Sequence, residues 1–156
     1  MAIFRKLEDL ISGTSLENVI VKELVFKEED YSDPVKKGSL SIQARPSFKV
    51  NEKLNKIILD LRVLVQGFSE GEGEDGPAPV FTVDLCLNTI FDVVAKYDLA
   101  ELKDMSEEPE FIIDYMCRQI YPIARVKLHE VLSNSVYMGV QLPWQVTFEG
   151  GLERQL

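Results

Sequence analysis

Ile57-Ile58-Leu59-Asp60-Leu61-Arg62-Val63-Leu64-Val65-Gln66 is the stretch on which the fold turns. Ile57, Leu59, Leu61, Val63 and Val65 fall on one side of a period-two pattern, and Ile58, Asp60, Arg62, Leu64 and Gln66 on the other. Side chains of a strand alternate between its faces, so this unbroken apolar row predicts a strand with one well-buried face. Phe81, Val83, Leu85 and Leu87 alternate in the same way with Thr82, Asp84, Cys86 and Asn88. Between the two runs, residues 69–79 interleave Gly and Pro with Glu70, Glu72, Glu74 and Asp75, the composition of a solvated hairpin loop.

Outward from this pair, residues 19–27 are β-branched and apolar. Simple alternation puts Ile20, Lys22, Leu24 and Phe26 on one face and Val21, Glu23 and Val25 on the other. A polar connection follows through Glu28, Glu29, Asp30, Asp33 and Pro34. A further strand sets Leu40, Ile42 and Ala44 against Ser39, Ser41 and Gln43 and is expected to stop near Pro46. Ahead of these, Ile3, Phe4, Leu7, Leu10 and Ile11 have helical spacing, with Gly13 as a stop.

The last third reads as helix. Glu107, Glu108, Pro109 and Glu110 suit a helix start, where proline lacks no needed donor and acids meet the positive end of the dipole. Ile113, Met116, Cys117, Ile120, Ala124, Leu128 and Val131 form one stripe, with a kink or break expected at Pro122. The tail from Tyr137, with Pro143, Gly150 and Gly151, reads as extended. The fold class is therefore α+β: a four-stranded antiparallel sheet followed by a long, proline-kinked helix. Residues 1–156 form a single domain, with 1–13 as an added N-terminal helix.

Composition narrows function by exclusion. The chain has 156 residues, 46% hydrophobic and 28% charged, enough to build a core without disulfides or metals. Its 17 Lys+Arg against 26 Asp+Glu give a net charge of −9, which argues against nucleic acid and against anionic membrane surfaces. No apolar run approaches the roughly 20 residues of a membrane-spanning helix, so no membrane insertion is expected. Residues 1–13 mix Arg5, Lys6, Glu8 and Asp9 with apolar residues, which is no signal peptide. Two cysteines make no disulfide framework, and a reduced cytoplasmic setting fits best.

Residues able to run a reaction are sparse. His129 is the only histidine and has no motif around it. Cys86 and Cys117 lack a flanking His or Lys to stabilise a thiolate. Gly67, Gly71, Gly73 and Gly76 belong to an acidic stretch that repels phosphate, and its acids lack the spacing of a calcium loop. Neither a catalytic residue nor a metal or cofactor site is expected. Apolar material is instead in surplus. Phe81, Phe91, Tyr97, Phe111, Tyr115, Tyr121, Tyr137, Trp144 and Phe148 crowd the second half. One helix covers only one face of a four-stranded sheet, yet 19–27 and 57–65 are apolar on both, so the second face must meet a subunit, a ligand or a partner.

Several motifs together resemble the SecB family of cytosolic export chaperones. Tyr121-Pro122-Ile123-Ala124-Arg125 is similar to the family's aromatic-Pro-x-Ala-Arg signature, and Tyr137 followed by Val140-Gln141-Leu142-Pro143 resembles its next segment. Lys22-Glu23-Leu24-Val25-Phe26 resembles the first strand, and residues 81–91, with Asp84 and Ile90-Phe91, the fourth. The likeness runs over roughly 17–148. Asn88 and Thr89 stand where the family has paired glycines, and Pro34 lies near an expected tryptophan. The helix that ends typical members has no counterpart before Leu156, and 1–13 is expected to take over part of its packing.

The resemblance implies a homotetramer, a dimer of dimers, that binds unfolded preproteins in apolar grooves and delivers them to the SecA motor. It places Phe81 in the groove, Tyr137 and Leu142 on the loop that covers it, and Ile90, Phe91 and Trp144 as neighbours. Glu23 and Asp84 match acidic positions of the motor-binding face, whereas Lys27 and Thr82 depart from it. The alternative is a SecB-like chaperone of an antitoxin in a toxin–antitoxin system. A small-ligand-binding or enzymatic α+β domain using His129 is the third reading.

Overall fold

A computed structural model describes residues 11–28, 38–69, 79–94, 110–135, 137, 139–144, 146 and 153–154. The strands are β1 (Thr14–Glu28), β2 (Gly38–Asn51), β3 (Lys56–Ser69), β4 (Pro79–Val93) and β5 (Glu153–Arg154), with one long helix, α1 (Glu110–Ser133). The sheet order is β1-β4-β3-β2-β5. β1 to β4 pair antiparallel, and two-residue β5 joins the edge of β2 in parallel, opposite Ser47 and Phe48. The fold is thus α+β, a four-stranded antiparallel sheet followed by a helix, as the sequence leads one to expect. Residues 11–13 are helical, but the remainder of the 1–13 helix lies outside the described residues, as do most of the acidic 69–79 loop and the helix start at 107–109.

The rows read from β3 and β4 hold without change. Leu61 faces Leu87 and Val63 faces Leu85, in one layer of fully buried side chains. Onto this layer α1 sets Ile112, Met116, Cys117, Ile120, Tyr121, Ala124, Leu128 and Leu132. Ile113 and Val131, expected in that stripe, are only half-buried beside it. Thr89, the buried polar residue in the layer, donates its hydroxyl to Leu59 O at 2.8 Å, so its burial leaves no donor unmet. No helix among the described residues is long and apolar enough to cross a membrane.

Two local expectations fail, each for a physical reason. In β1 the register shifts between Val21 and Glu23, so one extra residue, Lys22, reverses the alternation. Leu24 and Phe26 thereby join Val19 and Val21 on the helix-covered side, while Ile20, Glu23 and Val25 share the open side. β2 continues through Pro46, opposite Leu61, rather than stopping there. Its outer neighbour pairs only at Ser47 and Phe48, and an edge strand tolerates a missing N–H. Of the kink or break expected at Pro122, the break does not occur: α1 is continuous through this exposed residue, so the carbonyl it leaves unpaired one turn back can meet water.

The β2–β3 hairpin closes on Asn55, whose φ of 53° lies in the left-handed region that asparagine tolerates. Its side chain donates to Val93 O at 2.9 Å, fastening the turn to the end of β4.

Both cysteines are buried. Burial pushes the Cys117 thiol up to about 12, the Asp114 charge adding to it. The folded state therefore holds this proton above the ordinary thiol range, from which the unfolded chain releases it. Stability from this site is intact below pH ~9 and declines between ~9 and ~12. Urea midpoints should fall more steeply over that range in the wild type than in Cys117→Ala, and equal slopes would refute the assignment.

Candidate functional site

The site begins where β4 enters the sheet. Phe81 stands opposite Gly67 in the β3–β4 ladder. A Cβ at Gly67 would lie 2.1 Å from Phe81 Cε1 and 2.7 Å from both Cδ1 and Cζ, so the ring rests on the glycine's own backbone. Gly67 therefore belongs to a strand and seats an aromatic ring, in contrast to its reading as part of the acidic loop. Tyr137 packs on the same ring, with centroids 4.5 Å apart and planes tilted by 42°. The ladder shifts by one residue beside Phe81, leaving Val80 without a cross-strand partner. The Tyr137 hydroxyl donates to that residue's carbonyl at 3.3 Å.

Tyr137 opens a strap that runs back along α1. The helix end is closed by Ser133 Oγ and Asn134 Nδ2, which both donate to Glu130 O. Tyr137 N then donates to Ser135 Oγ and Val140 N to Tyr137 O. Further on, Pro143 O accepts from the Tyr121 hydroxyl at 2.8 Å and Leu142 O from Arg125 Nε at 3.3 Å. The Arg125 guanidinium also lies over the Trp144 ring, 3.6 Å from its centroid. Tyr121 and Arg125 are four apart on α1, hence on one face, which lets them grip consecutive strap residues. Burial raises the Tyr121 phenol above its usual range and the Arg125 charge opposes that rise, so the hydroxyl stays a donor. Tyr121→Phe removes one strap bond and should cost about 1 kcal/mol. Limited proteolysis should then cut near 142–144 sooner, and an unchanged cleavage rate would show that this bond does not hold the strap.

The remaining expected groove residues separate. Leu142, on the strap, is buried in the core cluster, and Trp144 is 77% exposed. Phe91 shares the helix-covered face with Phe81 but lies ten residues along β4, about 33 Å at strand rise, where it is fully buried opposite Leu16 and Ile57. Ile90 points to the opposite, open face, between Asn18 and Ile58, so it is no neighbour of Phe81. Its even number, in a row where Phe81 and Phe91 are odd, is the signal that distinguishes it. Tyr121, Arg125 and Gly67 are the site residues not singled out individually from sequence.

Glu23 and Asp84 meet on the open face through one shared cation. Arg62 Nη2 donates to Glu23 Oε2 at 3.1 Å and Arg62 Nε to Asp84 Oδ1 at 2.9 Å. These acids thus form a triad with an arginine rather than an unscreened acidic patch. His129 is exposed on α1, and among the described residues no group of His, Cys, Asp and Glu is arranged to hold a metal ion. The arrangement suits apolar contact: an aromatic pair at a sheet end, beside a strap held by a few separable polar bonds.

No family model and no curated protein sequence matches the chain. Among solved structures it is similar to the SecB-like chaperone Rv1957 of Mycobacterium tuberculosis, in complex with a ChAD peptide from the Rv1956 HigA1 antitoxin. The TM-score is 0.67 at 12% identity, over 87% of this chain and 93% of that one. The fold is therefore that of a SecB-like chaperone.

Proposed function

We propose that this protein is a chaperone that holds non-native polypeptides, and that Phe81, Tyr137 and the 142–144 strap form the site that receives them. The observation that carries this reading is the aromatic pair beside a strap fixed by Tyr121 and Arg125. A binder of many extended chains needs apolar contact area with few torsions to freeze, and aromatics supply it. Strap bonds that open singly let the site accept segments of different bulk. The −9 charge keeps such a surface in solution and steers basic clients toward it.

Assembly into a homotetramer, a dimer of dimers, belongs to the same reading. Ile20, Val21 and Leu24 are exposed on edge strand β1, and Val126 is 53% exposed on α1. Apolar edges and helix faces of this kind are covered in stable soluble proteins.

Two client classes follow. Preproteins kept export-competent for SecA in the cytoplasm are the first, with Glu23 and Asp84 facing the motor. An antitoxin is the second, favoured by the peptide bound to Rv1957. The protein should delay refolding or aggregation of a slow-folding client, and no effect at stoichiometric tetramer would overturn the proposal. Identifying the chains that copurify separates preproteins from a dedicated antitoxin.

A further inference from the structure

The open face of the sheet is electrically uneven. β2 carries Arg45 and Lys49 and no acid, in a chain where acids outnumber Lys+Arg by 26 to 17. Both side chains are exposed. They belong to the outward row Ser41, Gln43, Arg45, Ser47 and Lys49, since the intervening residues face the core layer. Three other cations on this face have acids in reach, while Lys27, opposite Thr82 at the far edge, has no ion pair among the described residues. Arg62 holds Glu23 and Asp84, Lys22 lies 3.5 Å from Asp60, and Lys56 pairs with Glu17 and with Asp92.

Arg45 and Lys49 depart from that rule. Arg45 stands directly opposite Arg62 in the ladder, a like-charge placement that costs stability unless something negative lies near. Its contact among the described residues is the Gln43 amide oxygen at 3.3 Å on its own strand. Lys49 has no ion pair among the described residues. Two acids stand in register with Ser47, between them: Asp60 on β3, already engaged by Lys22 and by Asn88 Nδ2 at 2.7 Å, and Glu153 on β5. Arg45 borders an open depression of about 280 Å³, lined also by Gln43, Arg62, Leu64 and Asp84. Asp84 is committed to Arg62 there, so the depression has room for a further carboxylate beside two guanidinium groups.

We propose that the open face of β2 docks an extended, acidic segment of a partner polypeptide, with one carboxylate at Arg45 and a second at Lys49. The two cations are four residues apart on one row, about 13 Å at strand rise. A matching segment therefore carries acids at i and i+4, both projecting to the same side. The net charge opposes its approach from afar, but at about 0.15 M salt that repulsion is screened beyond ~8 Å, and the local attraction remains. This surface lies on the other face of the sheet from Phe81 and goes beyond the proposed client site. A failure here leaves that site standing.

The test uses fluorescein-labelled short peptides on a Ser/Thr background, followed by anisotropy at about 0.15 M salt. One carries Glu at i and i+4, a second Glu at i and i+3, a third Lys at i and i+4. The first should bind saturably and roughly tenfold more tightly than the others. It should weaken by roughly tenfold in Arg45→Gln/Lys49→Gln, whose suppression of client aggregation stays at the wild-type level. If the double variant melts lower than wild type, Lys49→Gln alone decides, and it should still weaken binding. Equal binding of the three peptides, or unchanged binding by the variant that decides, overturns the proposal.

Discussion

Phe81→Ala should lose both stability and client. The ring is 3% exposed, rests on Gly67 and packs against Tyr137, so truncation removes a buried aromatic and leaves a void beneath the strap. Such changes cost about 3–5 kcal/mol, and the lower end is expected at the end of a strand. For a domain of this length the melting temperature should drop by roughly 10 °C. If Phe81 also contacts clients, the affinity for a non-native chain should fall by roughly tenfold or more at temperatures where the variant remains folded. A variant that melts lower yet holds clients undiminished would make Phe81 a core residue alone.

Gly67→Val should be the second large effect, and its sign should depend on Phe81. With the ring in place, an added Cβ collides with three of its carbons, and Tyr137 closes the other side, so the ring must leave its seat. Overpacking of this kind costs about 1–3 kcal/mol. In the Phe81→Ala background the collision disappears, and valine suits a strand better than glycine. The same substitution should then be neutral or stabilising by up to about 1 kcal/mol. Urea midpoints of the four proteins decide it, and additive losses would mean that Gly67 does not act as the seat of Phe81.

How much of this was legible in the sequence follows from how local each cause is. β3 and β4 could be read because an unbroken period-two row is a property of consecutive residues. The α1 stripe could be read for the same reason, to within a residue at each end. β1 could not, since the extra residue at Lys22 is defined by what β4 does opposite it. Pro46 reads as a stop and Pro122 as a kink or break because a lost donor matters only if a partner or the interior needs it, and edge position and exposure are tertiary facts. Tyr121 and Arg125 stand in a sequence motif that assigns them no role by itself. Their partners, Pro143 and Leu142, lie 22 and 17 residues away. Glu23 and Asp84 are legible as acids, but the arginine between them comes from a third strand.

The central claim is that a client lies along the strap that runs from Tyr137 back over α1, and Trp144, on that strap, reports on it directly. It is the single tryptophan, exposed, with the Arg125 guanidinium over its ring. Its fluorescence should be followed while a tryptophan-free, non-native client is added. A saturable blue shift, with a midpoint matching client capture and weakened in Phe81→Ala, is the predicted result, because a client laid along the strap takes the indole out of water. Capture of the client with no change in Trp144 emission would contradict the account.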